Sequence, residues 1–263
     1  MHIHTPQALK TEHTIRVLSY NIQVAIGTSR AHHYVTRSWR HVLPHSQLYA
    51  NLNRIAHVLA EFDIVALQEV DAGSLRSAFT NQTEYLAHHA RFAHWHCQVN
   101  RNLARIARHS NSLLSRYKPH RFVEQKLSGM IPGRGVLLAE YGEGRHQLAV
   151  LVLHLALSQR ARLAQLAEVS ELVNSYPHAV LMGDFNCEPD SKEMQFLIRN
   201  TDLSIPEDEG HTFPSWQPRK RLDHILITNK LEVTTIEVLE HMYSDHLPVA
   251  MEIRLPKKLQ LTN

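Results

Sequence analysis

Acidic and amide side chains recur at the ends of apolar runs in this sequence. Asn21 follows Val17-Leu18-Ser19-Tyr20, Glu69 follows Ile64-Val65-Ala66-Leu67-Gln68, and Asp184 and Asn186 close the run that starts at His178. Asp223 opens a run ending at Thr228, and Asp245 and His246 stand just ahead of Leu247-Pro248-Val249. One acid so placed is most simply a helix cap or a turn residue. Repeated placement needs another reason: strand ends converge at one rim of a sheet, where a reactive constellation is built. The donors are carboxylate and amide oxygens with few thiols, a set that suits Mg²⁺ or Mn²⁺, ions that keep several waters and bind phosphate oxygens. A cation held this way acts as a Lewis acid and helps to generate hydroxide. His246 lies next to an acid, with Asp223 available to orient it, which is the form of a general base. The set reads as hydrolysis of a phosphoric ester by activated water.

The elements that must position these residues are legible as short apolar runs rich in β-branched side chains. They span Ile15 to Ala25, Phe62 to Val70, Leu148 to Leu157, His178 to Asn186, Arg221 to Thr228 and His246 to Leu255. Runs this apolar predict strands covered on both faces. Between them, Ser46 to Phe62 places Leu48, Leu52, Ile55, Val58, Leu59 and Phe62 at helical spacing. Ser158 to Tyr176 does the same, with Ser158 as N-cap and Pro177 just past the end. Alternating strands and helices predict an α/β protein with large sheets.

The 263 residues are 43% hydrophobic, enough for one sizeable core. No run approaches the roughly 18 apolar residues of a membrane span, and the polar, His-rich first residues lack the apolar stretch of a secretory signal. Cys97 and Cys187 are too few and too far apart for a CxxC zinc site, so a reducing, cytoplasmic setting is the expectation. A net charge of +3 does not by itself argue for a nucleic-acid partner. The 21 histidines, which include His32–His33, His88–His89 and His94 and His96 around Trp95, raise the alternative of a zinc hydrolase. None has the i, i+4 spacing with an intervening Glu that such enzymes use, so surface histidines are expected.

Tyr20-Asn21-Ile22-Gln23, Leu67-Gln68-Glu69-Val70, Gly183-Asp184-Phe185-Asn186, Arg221-Leu222-Asp223-His224-Ile225 and Ser244-Asp245-His246 follow one another in that order. In that order they resemble the endonuclease/exonuclease/phosphatase superfamily, which includes deoxyribonuclease I, repair nucleases, neutral sphingomyelinases, inositol-polyphosphate phosphatases and deadenylases. The resemblance covers about Asn21 to Val249. It implies a four-layer α/β/β/α sandwich, deoxyribonuclease I-like, with a single catalytic domain over 15–256 between an N-terminal extension (1–14) and a C-terminal tail (257–263). It also implies an active site at one end of the sandwich, using Mg²⁺ or Mn²⁺. By resemblance, Glu69 is the principal metal ligand, helped by Asn21 and Asp245. Asp184 and Asn186 position the water and the phosphate. His246 is oriented by Asp223 and acts as base or transition-state stabiliser, and His154 contacts the phosphate. Asn111 falls in a segment that reaches the substrate in many members.

The sequence departs from that pattern in two places. Repair nucleases carry Tyr-x-Pro-Asn where this chain has His154-Leu155-Ala156-Leu157, which speaks against an abasic-site endonuclease. Gln23 stands where some members have an acid, which would weaken a second metal position. Basic residues mark candidate substrate contacts. Arg37 and Trp39 lie in an arginine- and aromatic-rich insert, a combination that can hold a phosphate and stack a base or a head group. Arg101, Arg105 and Arg108 would share one face if their segment is helical, and the resemblance places Arg221 beside the catalytic rim. The expected activity is hydrolysis of a phosphodiester, with nucleic acid and phospholipid or inositol-type substrates both open. A phosphomonoesterase of the same fold and a non-catalytic scaffold are the alternatives. No protein partner is inferred.

Overall fold

Alternation along the strands sets the architecture. In β1 (Thr14–Asn21), Ile15 and Val17 face one core while Leu18 and Tyr20 face another, as a period of two requires. β7 (Leu148–His154) divides its side chains in the same way, with Val150 and Val152 on one side and Leu151 and Leu153 on the other. Each strand is therefore covered on both faces. The computed structural model describes residues 14–28, 46–103, 106–129, 133–207 and 210–262.

Among these residues two six-stranded sheets form. The first joins β1, β2 (Ile64–Asp71), β3 (His94–Leu103), β4 (Ala107–Ser115), β11 (Glu232–Val238) and β12 (Val249–Arg254) in the order β11-β12-β1-β2-β4-β3. The second joins β5 (Arg121–Lys126), β6 (Gly135–Tyr141), β7, β8 (His178–Asp184), β9 (Leu203–Ser204) and β10 (Asp223–Thr228) in the order β5-β6-β7-β8-β10-β9. Each sheet has one parallel pair at its centre, β1–β2 and β7–β8, with antiparallel neighbours outside it.

Three apolar cores separate four layers. Between the sheets lie Val17, Ile64, Ala66, Leu137, Val150, Met182 and Met251. Helices α1 (Leu48–Leu59) and α2 (Gln82–His89) cover the outer face of the first sheet, with Leu52, Ile55, Leu59 and Leu86 against Leu18, Val65 and Leu67. Helices α3 (Gln159–Asn174) and α4 (Lys192–Asn200) cover the second, with Leu166, Val169 and Leu197 against Leu151 and Leu181. Asn81 caps α2 by accepting from the backbone N–H groups of Thr83 and Glu84, and the Ser191 hydroxyl accepts from Met194 at the start of α4. The result is the expected α/β/β/α sandwich.

The helix expected through Arg101, Arg105 and Arg108 is instead a hairpin. Arg101 and Arg108 stand on β3 and β4, where Arg101 pairs with His109 and Arg108 with Asn102, and Arg105 lies outside the described residues. Pairing with an existing sheet edge overrides the helical spacing there. Residues 257–262, set apart above as a tail, return to the inter-sheet core, where Leu259 is fully buried. No helix among the described residues is long and apolar enough to cross a membrane.

Candidate active site

The register of the second sheet sets three site residues side by side. His154 and Asp184 are partners across the parallel β7–β8 pair, and Asp184 and Asp223 are partners across the antiparallel β8–β10 pair. The row depends on a close approach at Gly183, whose φ is 152°. A Cβ there would meet the Leu153 carbonyl oxygen at 2.0 Å, so only glycine lets β7 and β8 close just before the row.

The first sheet supplies the facing half. Asn21 ends β1 opposite Gln68 on β2, and Glu69 comes next. The pairing of β2 with β4 shifts between Leu67 and Val70, and Glu69 takes a left-handed φ of 55°. Such a bulge inserts a residue into the ladder and re-aims its side chain. The sheets are joined at the site itself: Asn21 Nδ2 donates to Asp184 Oδ2 over 3.1 Å.

Asp245 and His246 arrive on the loop between β11 and β12. That loop is pinned by Ser215 N to Asp245 O (2.8 Å), Ser215 Oγ to Ser244 O (2.7 Å) and Leu247 N to Thr212 O (2.8 Å). Gln23 Nε2 donates to Asp245 Oδ2 at 2.9 Å, so the residue expected to weaken a second metal position grips this acid directly. His246 Nδ1 lies 2.8 Å from Asp223 Oδ2, and its Nε2 lies 3.8 Å from Asp184 Oδ2. His154 Nε2 approaches that same Asp184 oxygen at 3.4 Å. Asn186, also left-handed, closes the Asp184 turn: its N–H donates to Asp184 Oδ1 and its Nδ2 to the Leu155 carbonyl.

These neighbours polarise one another. Burial works to discharge His246, but the charges of Asp223, Asp184 and Asp245 outweigh it and hold its pKa well above the ordinary value. His154 goes the other way: burial, with the positive charges of Arg134 and His246, pushes it well below. Burial raises the Asp184 carboxyl, as does Asp223, against the pull of His246. Glu69 is raised by burial and then by Asp245, a carboxylate beside a carboxylate. One histidine is therefore charged and the other neutral within reach of a single aspartate.

Asp184, Asp223 and His246 bring ligand atoms within 4.8 Å of one another, which would allow a cation there. The 2.8 Å contact already joins His246 to Asp223, so two of those three atoms answer each other. Glu69 and Asp245 have a different character. Their mutual repulsion and the Asn21 amide make an oxygen-rich setting of excess negative charge, which fits a hard divalent ion.

A cleft of about 840 Å³ opens over Glu69, Asn111 and His154. Asn111 is buried and donates from Nδ2 to the Gly135 carbonyl at 3.1 Å. Arg221 does not reach the cleft lining: its guanidinium donates to the Pro206 carbonyl at 3.3 Å and its backbone N–H to Glu188. These bonds tie Arg221 to a neighbouring loop. Arg37 and Trp39 lie outside the described residues. Sequence reasoning missed Arg134, which lines the cleft and whose charge is felt by Glu69 and His154. Its signal was a cation between two glycines, directly before the apolar run Val136-Leu137-Leu138.

Comparison with known proteins agrees with this architecture. The chain is 30% identical over 166 residues to the uncharacterized protein YbhP of Escherichia coli, an alignment covering 56% of this chain and 63% of that one. The chain thus spans less than two thirds of the curated relatives it matches. A solved endonuclease/exonuclease/phosphatase family protein from Bacteroides thetaiotaomicron superposes with a TM-score of 0.72 at 16% identity, covering 93% of this chain and 99% of that one. The human Nocturnin catalytic domain, solved with a bound sulfate anion, superposes with a TM-score of 0.68 at 19% identity, over 92% and 94% of the two chains. Identities this low speak to the fold alone. The sequence model of the Endonuclease/Exonuclease/phosphatase family matches residues 18–246, which takes in each strand-end residue from Asn21 to His246, and the chain belongs to that family.

Proposed function

We propose that this protein is a divalent-cation-dependent phosphodiesterase that cleaves its substrate by attack of water. The observation that carries the reading is the setting of Asp184, which lies within 3.1 Å of Asn21, 3.4 Å of His154 and 3.8 Å of His246, with His154 itself lining a cleft. Glu69, Asp245 and the Asn21 amide oxygen would hold Mg²⁺ or Mn²⁺. When bound, such an ion supplies Lewis-acid polarisation of a phosphoryl oxygen.

The remaining roles belong to the chain's own residues. Asp184, with its carboxyl raised by burial, is suited to orient the attacking water and take its proton. Asn186 fixes that carboxylate through its backbone N–H. His246, kept charged by Asp223, donates from Nε2 to charge developing on the phosphoryl oxygens, and neutral His154 offers a second ring nitrogen to the same group. This assigns His246 to transition-state stabilisation and Asp184 to the base. Asn111 lines the cleft beside Glu69, where a substrate group would sit.

The test is hydrolysis of bis-p-nitrophenyl phosphate with Mg²⁺ or Mn²⁺ and with chelator, by wild type, Glu69→Gln and His246→Ala. Turnover that requires the ion and collapses in both variants is expected. Full activity in either variant, or turnover indifferent to chelator, would sink the assignment.

A further inference from the structure

The cleft above Glu69 has two chemically distinct walls. On one, Arg101 from β3 and Arg134 from the segment entering β6 both line the space, close enough for the Arg101 charge to disfavour that of Arg134. Burial is the larger cause of the lowered Arg134 pKa, and Glu69 and Asp184 offset it in part. Packing fixes the pair. A Cβ on Gly133 would sit 3.0 Å from the Arg101 Cβ, so the backbone before Arg134 lies directly on the Arg101 stem. Two like charges pressed together beside a phosphoryl-transfer site are relieved by an anion between them.

The other wall is mainly aliphatic, with Ser158 and Arg160 beside the apolar residues. Ala156 and Leu157 follow His154, and Ala161 and Ala164 stand one turn apart on α3, all lining the same cleft. Leu157 is 77% exposed and so is free to meet a ligand in the cleft. The hairpin that carries Arg101 also exposes Leu103 and Ile106 at its turn. An open cleft of this size with one cationic and one mainly aliphatic wall matches a ligand that is anionic at one end and apolar at the other.

Building on the phosphodiesterase reading above, we propose that the substrate is a phospholipid-type phosphodiester. Arg134 and Arg101 take its non-bridging oxygens, and Leu157, Ala161 and Ala164 take its acyl-bearing arm. In the reaction, water oxygen bonds to phosphorus, the phosphorus–ester oxygen bond breaks, and the alcohol leaves with a proton.

The experiment compares three soluble diesters with Mn²⁺: dihexanoylphosphatidylcholine below its micellar concentration, the dinucleotide thymidylyl-thymidine, and methyl p-nitrophenyl phosphate. Wild type should favour the short-chain lipid over the dinucleotide by about tenfold or more in kcat/KM. Leu157→Asp and Ala164→Glu, both at exposed positions, should lower the lipid-to-methyl-ester ratio by about tenfold, chiefly through KM. Arg134→Ala should lower turnover of all three by about a hundredfold. Calorimetric titration of the lipid into Glu69→Gln gives a readout without turnover: saturable binding is expected, and its loss on adding Ala164→Glu. Preference for the dinucleotide, or wall variants that leave the ratio unmoved, overturns the lipid assignment while the phosphodiesterase reading stands. Failure to cleave any of the three removes both.

Discussion

Asp223 Oδ2 sits between two donors, the Thr212 hydroxyl at 2.6 Å and His246 Nδ1 at 2.8 Å, so the aspartate that orients the histidine is itself fixed by a second bond. Its other oxygen, Oδ1, is buried without a hydrogen-bond partner among the described residues. Asp223→Asn keeps the shape and removes the charge that holds His246 protonated. The expected outcome is a kcat reduced by about 10²–10⁴, with the His246 pKa moving down in an NMR titration. An unmoved histidine titration would show that Asp223 does not act through the ring.

Cation binding should be visible without any substrate. An ion bound only by the folded protein stabilises it by mass action, so Mn²⁺ should raise the melting temperature of wild type in a concentration-dependent way. Glu69→Gln removes a carboxylate from the Glu69–Asp245 pair and should abolish most of that increase. Equal shifts in the two proteins would place the ion elsewhere.

Gly183→Ala tests the strand row. The added methyl would press on the Leu153 carbonyl at 2.0 Å while the backbone holds a φ of 152°. Overpacking and backbone strain together should cost about 3 kcal/mol or more, read by urea denaturation. Activity should fall further than stability explains, because Asp184 is the next residue. Wild-type stability in this variant would contradict the close approach of β7 and β8.

Stability should also depend on acid through Asp71, which is fully buried beside Arg76. Burial would raise this carboxyl, but hydrogen bonds from Ser74, Arg76 and Ser77 and the Arg76 charge outweigh it and leave the pKa lowered. A lowered folded-state value means the contribution is complete above the unfolded value of about 3.9 and is lost as pH falls through the folded one. Asp71→Ala strands the Arg76 charge and should cost about 3–5 kcal/mol at neutral pH. The gap between wild type and variant in urea melts should narrow below about pH 4. A gap independent of pH would mean the ion pair is not what Asp71 contributes.

The sequence made six interior strands legible and hid the edges, together with the interior β4 and β6. β1, β2, β7, β8, β10 and β12 carry apolar residues on both faces because layers cover them on both sides. β5 (Arg-Phe-Val-Glu-Gln-Lys) and β11 (Glu-Val-Thr-Thr-Ile-Glu-Val) lie at sheet edges, mix exposed with half-buried positions, and present no such run. β3 is the same case, and its arginines gave a helical spacing that the hairpin ignores. Strand ends were readable because acids there interrupt apolar runs. Arg134 was not, since a cation before a strand is ordinary and only the folded cleft shows what it faces. The bond from Arg221 to the Pro206 carbonyl was equally unreadable, because nearness in sequence to Asp223 says nothing about where a long side chain turns.

The order of the strands carries a consequence for folding. The second sheet is one continuous stretch, Arg121 to Thr228, enclosed within the first, whose β11 and β12 follow it in the chain. β12 pairs with β1, more than two hundred residues upstream, and the loop just before β12 delivers Asp245 and His246. Pairings so distant along the chain form late. The Asp245–His246 half of the site therefore meets Asn21, Glu69 and Asp184 only in the event that closes the first sheet.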